Sequence, residues 1–293
     1  MENRAIFSGK LLPCLLILPQ LAVSLIFFYW PAVQALWQSF LVQDAFGLST
    51  EFVWFENYFS LLQTPEYYHA IGVTLVFSAL VAFFALALGL LLAAMANQNI
   101  RGVQIYRTFL IIPYAVAPAV ASVLFIFMFQ PGLGMIARVL QRNGIDWNPV
   151  LNGTHAMILV VIVAVWNQIS YNFLFFLAGL QSIPKSVIEA AAIDGARPVR
   201  RFWTIIFPLL SPTSFFLIIV NITYVFFNTL GIIDTATGGG PNGATQTLVY
   251  KVFQDGKGGT DLGGSAAQSV ILMVIVVALT AFQFRYVEKK VHY

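Results

Sequence analysis

Long apolar runs alternate with short polar segments along the whole chain. Six of these runs are long enough for a helix to cross a bilayer, which takes about 20 residues. The predicted spans lie at about residues 11–41, 70–96, 108–129, 156–180, 203–233 and 265–284. The first run is longer than the apolar core of a signal peptide, so we expect it to be retained. The pattern predicts an all-α integral membrane protein with one domain over residues 1–293.

Composition supports a polytopic membrane protein. Of the 293 residues, 59% are hydrophobic and 9% are charged, whereas a soluble domain carries about 25% charged residues. The net charge of +3 is too small to suggest binding to nucleic acid. Cys14 is the only cysteine, which excludes an internal disulfide and a cysteine-based metal site. His69, His155 and His292 are far apart in the sequence, and nothing groups them into a metal site.

The basic residues indicate which polar segments face the cytoplasm. With a cytoplasmic N-terminus, eleven of the fifteen Lys and Arg residues lie on the inner side. The outer segments hold the other four, Arg138, Arg142, Lys251 and Lys257. Because basic residues accumulate on the cytoplasmic side of membrane proteins, we predict that both termini are cytoplasmic. The segment at 181–208 is then cytoplasmic as well.

No predicted span contains Asp, Glu, Lys or Arg. Carriers that couple transport to protons or ions place ionisable groups inside the membrane, so a self-sufficient carrier is disfavoured. A Walker A loop for ATP is also missing, since Gly256-Lys257 is followed by Gly258 rather than by Ser or Thr. Energy for uphill transport must then come from a partner, which would dock on the charged segment 181–208. A passive channel would not need such a segment.

The segment 181–208 is predicted to form a helix, a sharp bend and a second helix. Pro184 suits a first helical turn, and the Glu-Ala-Ala-Ala run that begins at Glu189 favours helix. Gly195 can adopt the left-handed conformation that ends a helix, and Pro198 then fits the start of the next one. The alternative is an ordinary amphipathic surface helix.

This stretch resembles the EAA loop of permease subunits of binding-protein-dependent ABC importers, whose pattern is E-A-A-x3-G-x9-I-x-L-P. Phe207 stands where this family usually has Leu, a change that keeps an apolar contact. The resemblance implies that the loop couples the chain to an ATPase. The residues implied in this coupling are Glu189, Ala190, Ala191, Asp194, Gly195, Ile205 and Pro208.

The family resemblance implies a type I ABC importer permease in the bacterial inner membrane. Such a permease pairs with a second, homologous permease subunit, and two copies of a cytoplasmic ABC ATPase bind below them. A periplasmic substrate-binding protein delivers the substrate. The ATPase binds ATP, so we expect this chain to be non-catalytic and to need no cofactor or metal of its own. We expect membrane lipid around it and no nucleic-acid partner.

Polar residues inside the fourth and fifth predicted spans are candidates for the transport path. Asn221, Tyr224 and Asn228 recur at intervals of three and four, which places them on one helix face. Asn167 and Asn172 lie in the fourth span. Further polar candidates in these two spans are Trp166, Gln168, Ser170, Tyr171 and Thr223. The alternative for each residue is a hydrogen bond between helices, which is common for Asn in membranes.

Four further segments are similar to permease subunits of sn-glycerol-3-phosphate importers: Leu16–Gln20, Pro113–Ala121, Gln168–Phe176 and Gln283–Glu288. The similarity implies sn-glycerol-3-phosphate as the substrate, with glycerophosphodiesters as further candidates. A phosphate usually binds Arg, Lys or helix N-termini, and the predicted spans hold no cationic side chain. Either the partner permease supplies one, or the path is only polar and the capturing protein supplies the affinity.

Two other functions stay open. A permease of the same architecture could carry a neutral mono- or oligosaccharide. A membrane-embedded enzyme, such as a lipid-modifying transferase, would need clusters of His, Asp or Glu near the membrane surface, and the sequence shows none.

Overall fold

The computed structural model of the chain describes residues 11–44, 49–98, 101–257 and 261–287. Its α-helices are α1 (Leu11–Ser24), α2 (Trp30–Gln38), α3 (Glu56–Gln63), α4 (Pro65–Ala96), α5 (Val103–Ile111), α6 (Pro118–Phe129), α7 (Met135–Arg142), α8 (Gly153–Ser182), α9 (Lys185–Ile193), α10 (Pro198–Arg201), α11 (Phe207–Leu209), α12 (Ser211–Phe227), α13 (Leu230–Ala236), α14 (Leu248–Gly256) and α15 (Leu262–Phe282). A 3-10 helix covers Ile112–Ala115, and π-helical turns cover Leu25–Tyr29, Phe202–Ile206 and Gln283–Val287. The chain ends that we expect in the cytoplasm, residues 1–10 and 288–293, lie outside the described residues.

Four helical stretches of the described residues are long and apolar enough to cross a membrane. They are Cys14–Gln38, Pro65–Ala96, Gly153–Ser182 and Leu262–Arg285. Two bent helix pairs raise the number to six if each pair forms one span: Val103–Ala115 with Pro118–Phe129, and Pro198–Leu209 with Ser211–Phe227. This architecture agrees with the predicted all-α membrane fold.

The third predicted span is broken into two helical pieces, and the chain bends by 104° between them. Pro113 and Pro118 lack the N–H that a continuous helix needs. Ala117, between them, is extended with φ −60° and ψ 137°, as expected of a residue that precedes proline. The predicted span at 108–129 thus contains a break that the apolar pattern alone does not reveal.

The fifth predicted span also bends, by 68°, between α11 and α12. Leu210 connects the two helices with φ −83° and ψ 0°, and Pro208 and Pro212 flank it in the sequence. Each proline removes one backbone donor, which weakens the helix at this point. The residues before the bend continue from the second helix of segment 181–208, as the sequence predicts.

The polar segment between the first two predicted spans holds a small hairpin that the sequence pattern did not predict. Strands β1 (Leu41–Gln43) and β2 (Thr50–Phe52) pair antiparallel. The carboxamide of Asn57 on α3 donates to the carbonyl oxygens of Ser39 at 2.9 Å and Leu41 at 3.0 Å. These two bonds hold α3 against the start of the hairpin.

The chain forms two compact units. One lies within Met1–Thr64 and Val252–Ile271, and the other lies within Pro65–Lys251 and Leu272–Tyr293. In the larger unit α4 and α8 pack along one another. Gly89 on α4 permits this close approach, because a Cβ there would lie 2.6 Å from the Cβ of Asn172.

Candidate functional site

The segment after α8 forms a helix, a bend and a second helix. Pro184 precedes α9 with φ −59° and ψ 130°, and α10 starts at Pro198. Between the two helices, Gly195 has a φ of +78°, in the left-handed region, as the sequence predicts. We call residues 181–208 the coupling loop, after the role that the family resemblance predicts for it.

Two backbone hydrogen bonds lock the bend of the coupling loop. The N–H of Gly195 donates to the carbonyl of Ala192 at 3.1 Å, and the N–H of Ala196 donates to the carbonyl of Ala191 at 3.0 Å. Together they form a Schellman motif, which satisfies the last carbonyls of a helix. The bend is therefore a specified backbone conformation rather than a loose connection.

The predicted coupling residues differ in exposure. Glu189, Ala190, Asp194 and Gly195 are exposed, Ile205 and Pro208 are half-buried, and Ala191 is buried. Two apolar side chains that sequence reasoning left out stand beside them, Ile193 at 86% exposed and Val199 at 72% exposed. The place of Ile193 directly after the alanine run is a signal that could have identified it. Carboxylates and large apolar groups thus share the exposed surface of the loop.

A buried apolar cluster anchors the coupling loop to the spans. Ile188 and Ile206 of the loop pack against this cluster. Its buried members come mainly from α4, α8 and α12: Ala93, Ala96, Phe173, Phe176, Leu177, Leu180, Ile183, Leu210 and Leu217. Close-packed interiors transmit displacement, so a rigid movement of the loop would carry the adjoining ends of these helices with it.

A cavity of about 570 Å³ opens beside the break in the third predicted span. Its wall consists of the break, α8, α12 and Asn228 at the C-terminal end of α12. The lining residues are Tyr114, Ala115, Val116, Ala117, Pro118, Asn167, Gln168, Tyr171, Ile219, Val220, Thr223, Tyr224 and Asn228. None of them is charged, so the wall offers carboxamides, hydroxyl groups, aromatic rings and backbone.

Three of the five predicted path residues line this cavity: Asn167, Tyr224 and Asn228. The carboxamide nitrogen of Asn167 donates to the carbonyl oxygens of Val116 at 3.0 Å and Pro113 at 3.4 Å. The hydroxyl of Tyr224 in turn donates to Oδ1 of Asn167 at 3.4 Å. Asn167 thus holds the broken segment against α8, since its amide satisfies carbonyls that the break releases.

The other two predicted path residues, Asn172 and Asn221, are each 0% exposed and do not line the cavity. Their carboxamides pair reciprocally. Nδ2 of Asn172 donates to Oδ1 of Asn221 at 3.1 Å, and Nδ2 of Asn221 donates to Oδ1 of Asn172 at 2.7 Å. This is the hydrogen bond between helices that the sequence left open as the alternative. It joins α8 to α12.

Four further polar residues line the cavity: Tyr114, Gln168, Tyr171 and Thr223. Gln168, Tyr171 and Thr223 were candidates as polar residues of the fourth and fifth predicted spans, whereas Tyr114 was not. The ring of Tyr171 lies 5.9 Å from that of Tyr114. Tyr114 carried no such signal, because it reaches the cavity only through the break. Among the residues that the structure describes, no three His, Cys, Asp or Glu side chains gather as a metal site would require.

Sequence comparison relates the chain to known transport proteins. Residues 85–293 match the family described as binding-protein-dependent transport system inner membrane component. The sn-glycerol-3-phosphate transport system permease protein UgpA of Rhizobium meliloti (strain 1021) is 60% identical over 291 residues, which cover 99% of each chain. The UgpA protein of Yersinia pestis bv. Antiqua (strain Antiqua) is 58% identical over 291 residues, again with 99% of each chain covered.

Solved structures share the fold at lower sequence identity. A bacterial ABC transporter involved in the import of the acidic polysaccharide alginate contains a chain that matches with a TM-score of 0.82 and 19% identity, covering 96% of both chains. A chain of the inward-facing MetNI methionine ABC transporter matches with a TM-score of 0.55 and 17% identity, covering 81% of this chain and 99% of that one. The arrangement of helices is thus one that ABC importers use.

Proposed function

Because the chain belongs to the family of binding-protein-dependent transport system inner membrane components, we propose that it forms half of the path by which an ABC importer carries sn-glycerol-3-phosphate across the membrane. The proposed substrate is supported by the identity of 58–60% to UgpA proteins over 99% of each chain. The chain is a permease subunit and not an enzyme.

The transport path runs through the cavity beside the break in the third span. Its wall combines carboxamides with aromatic rings, which suits a small polyol. The pair Asn172–Asn221 joins α8 to α12, the two helices that form part of this wall. Asn167, Tyr224 and Asn228 contact the substrate directly in this proposal, since they line the cavity. Asn172 and Asn221 act by positioning α8 against α12.

The coupling loop transmits ATP hydrolysis to this path. Glu189 and Asp194 are exposed beside Ile193 and Val199, so the loop offers an ATPase both charge and apolar contact. The ATPase binds ATP, and the permease itself carries no cofactor. Movement of the loop as a rigid body would change which side of the membrane the cavity faces.

The full assembly in this proposal has a second, homologous permease subunit, two copies of the ATPase and a periplasmic binding protein. A solved alginate importer in complex with a periplasmic protein supports the last of these, since one of its chains matches this one with a TM-score of 0.79. The family and the apolar helices establish a multi-pass membrane protein. We place it in the bacterial inner membrane with both termini in the cytoplasm.

Cysteine labelling tests the orientation. In a Cys14→Ser background, Ser49→Cys and Ser186→Cys provide one site on each predicted side of the membrane. With an impermeant thiol reagent in intact cells, Ser49→Cys should react and Ser186→Cys should not. Reaction of both from outside would contradict the orientation.

Reconstitution tests the substrate. Proteoliposomes that contain both permeases and the ATPase should import labelled sn-glycerol-3-phosphate and hydrolyse ATP faster when the loaded binding protein is added. A response to a neutral oligosaccharide, with none to sn-glycerol-3-phosphate, would overturn the proposed substrate and leave the permease role in place.

A further inference from the structure

Helix α7 contributes no residue to the transport cavity and lies outside the coupling loop. We propose that its exposed side binds the headgroup of an anionic phospholipid at the outer surface of the membrane, where Arg138 and Arg142 contact the phosphate. This lipid site does not depend on which compound the importer carries. The outer position of α7 follows from the proposed orientation, which the labelling of Ser49→Cys and Ser186→Cys tests separately.

A tight turn returns the chain beside the outer end of α6. The N–H of Gly134 donates to the carbonyl of Gln130, the residue directly after α6, at 2.8 Å. Gly134 lies against the backbone of Met128, since an added Cβ there would clash with the Met128 carbonyl oxygen. A helix that begins at this place lies at the depth where the third span leaves the membrane. α7 is therefore at the membrane surface rather than in the water beyond it.

One side of α7 packs against the protein. Ala137 is buried, and Ile136 and Leu140 are half-buried. At 3.6 residues per turn these three side chains share one side of the helix, and α7 contacts α6. This packing determines which residues α7 turns away from the protein.

The exposed side of α7 combines an apolar row with a basic row. Met135 and Val139, four residues apart, are 67% and 51% exposed. Arg138 and Arg142, also four apart, are exposed and form the neighbouring row. A helix of this composition lies in the membrane surface, with its apolar side chains among the lipid chains and its basic side chains among the headgroups. Exposure of the apolar row to water would cost free energy.

Charge selects an anionic lipid as the occupant. Arg138 and Arg142 are two of the four basic residues in the predicted outer segments, and Asp146 is the only carboxylate between residues 130 and 152. A guanidinium can donate two parallel hydrogen bonds to one phosphate. A soluble partner would not reach the apolar row at the depth of the last turn of α6, whereas a phospholipid fits both rows.

Fluorescence quenching by labelled lipid tests the site in the assembled complex. In a Cys14→Ser background, with no cysteine in the partner subunits, Met135→Cys carries a fluorophore. The bilayer contains phosphatidylglycerol or phosphatidylcholine with a nitroxide near the top of one acyl chain. Phosphatidylglycerol should bind at least about fivefold more strongly than phosphatidylcholine, since one basic residue near an anionic surface contributes roughly that factor.

Variants of the two arginines identify the groups that select the anion. Arg138→Gln should lower the preference for phosphatidylglycerol severalfold, and the double variant Arg138→Gln with Arg142→Gln should abolish it. Arg138→Lys should keep most of the preference, because the charge remains. Quenching by phosphatidylcholine should stay unchanged in all three, because the apolar row still holds α7 at the surface. Arg138 is the sharper test, since Arg142 lies in the last turn of α7, where a cation is favourable without a ligand.

Lys257→Gln is the matched control. Lys257 is another exposed basic residue of the predicted outer segments, so the variant removes the same positive charge as Arg138→Gln but outside α7. It should retain the wild-type preference for phosphatidylglycerol. Co-purification of the ATPase with each variant establishes that the complex assembles.

Four results would overturn the lipid site. Equal quenching by the two lipids in the wild type would show that α7 does not select an anion. A preference that survives in the double arginine variant would place the selection elsewhere. Equal losses in Arg138→Gln and Lys257→Gln would show a general attraction by the outer charges. Absence of quenching by either lipid would show that a protein partner, and not the membrane, covers the exposed side of α7.

Discussion

The coupling loop and the transport cavity belong to the same compact unit but depend on different kinds of contact. The bend of the loop is made by neighbours in sequence, since Gly195 and Ala196 donate to the carbonyls of Ala192 and Ala191. The cavity is made by distant segments, because Asn167 on α8 holds the carbonyls of Pro113 and Val116. The loop is a local backbone conformation. The cavity forms only because three helical segments pack against one another.

This difference has a functional consequence. A loop whose shape comes from its own backbone can move as a rigid piece when a partner pulls on it. A cavity whose shape comes from side-chain bonds between helices can alter when those helices shift. Substitutions in the loop should therefore affect the link to ATP hydrolysis, and substitutions in the cavity wall should affect the substrate.

The largest expected effect is that of Gly195→Val. Gly195 has φ +78°, and an added Cβ would meet no atom within 4 Å, so the damage comes from backbone strain alone. Strain of about 2 kcal/mol in a left-handed conformation should lower uptake by roughly thirtyfold. Uptake by the reconstituted complex is the measurement.

Two controls isolate the conformation of Gly195. Gly195→Asn should retain much of the uptake, because Asn tolerates the left-handed region. Gly72→Val places the same side chain on α4, where a Cβ also meets no atom within 4 Å and φ is not positive, and it should transport normally. Normal uptake by Gly195→Val would mean that the bend is dispensable.

The next effect is that of Asn167→Leu in the cavity wall. The variant removes the donor to the carbonyls of Val116 and Pro113, which frees the broken segment to move away from α8. We expect sn-glycerol-3-phosphate uptake to fall about tenfold, because two carbonyls of the break lose their donor. Asn167→Gln, which keeps a carboxamide, should be milder. Wild-type uptake by Asn167→Leu would show that this hydrogen bond does not shape the path.

Particular residues show how much of this could be predicted from the sequence. The bend at Gly195 and the helices around it were predicted correctly, because the signals for a helix end lie within a few residues. The break in the third span was visible only as Pro113 and Pro118, since its 104° angle depends on packing against α8 and α13. For the same reason the sequence could offer a hydrogen bond between helices as an alternative for Asn172 without identifying its partner, and it could not place Tyr114 in the cavity wall.

The pair Asn172 and Asn221 illustrates this limit. Both residues are polar and lie in spans, so sequence reasoning placed them in the path together with Asn167. Their pairing requires α8 to approach α12, while Gly89 lets α4 press against α8. No periodicity within one helix carries that information.

A double-mutant cycle tests the hydrogen bond between Asn172 and Asn221, and its expected effect is smaller than those above. Asn172→Leu leaves Oδ1 of Asn221 without its donor, although Nδ2 of Asn221 still donates to the carbonyl of Leu217, and should lower the free energy of unfolding by roughly 1–2 kcal/mol. Asn221→Leu should act alike, and the double variant should lose less than the sum of the two. Thermal unfolding of the purified complex measures all three. Strictly additive losses would contradict a direct bond between the two side chains.

The smallest expected effect is that of Tyr171→Phe. The ring of Tyr171 lies 4.6 Å from that of Phe175 and 5.9 Å from that of Tyr114, and its hydroxyl has no partner among the described residues. Loss of the hydroxyl should change uptake by less than about twofold, whereas Tyr171→Leu, which removes the ring, should lower it clearly. Equal losses in the two variants would point to the hydroxyl as a substrate contact.

The separation of coupling from substrate contact is tested most directly by measuring import and ATP hydrolysis in the same proteoliposomes. Complexes with Gly195→Val and with Asn167→Leu are each given the binding protein loaded with sn-glycerol-3-phosphate. In Gly195→Val, hydrolysis should no longer respond to the loaded binding protein although the ATPase stays bound. In Asn167→Leu, hydrolysis should still respond while import falls. Equal loss of the hydrolysis response in both variants would contradict the separation of the two regions.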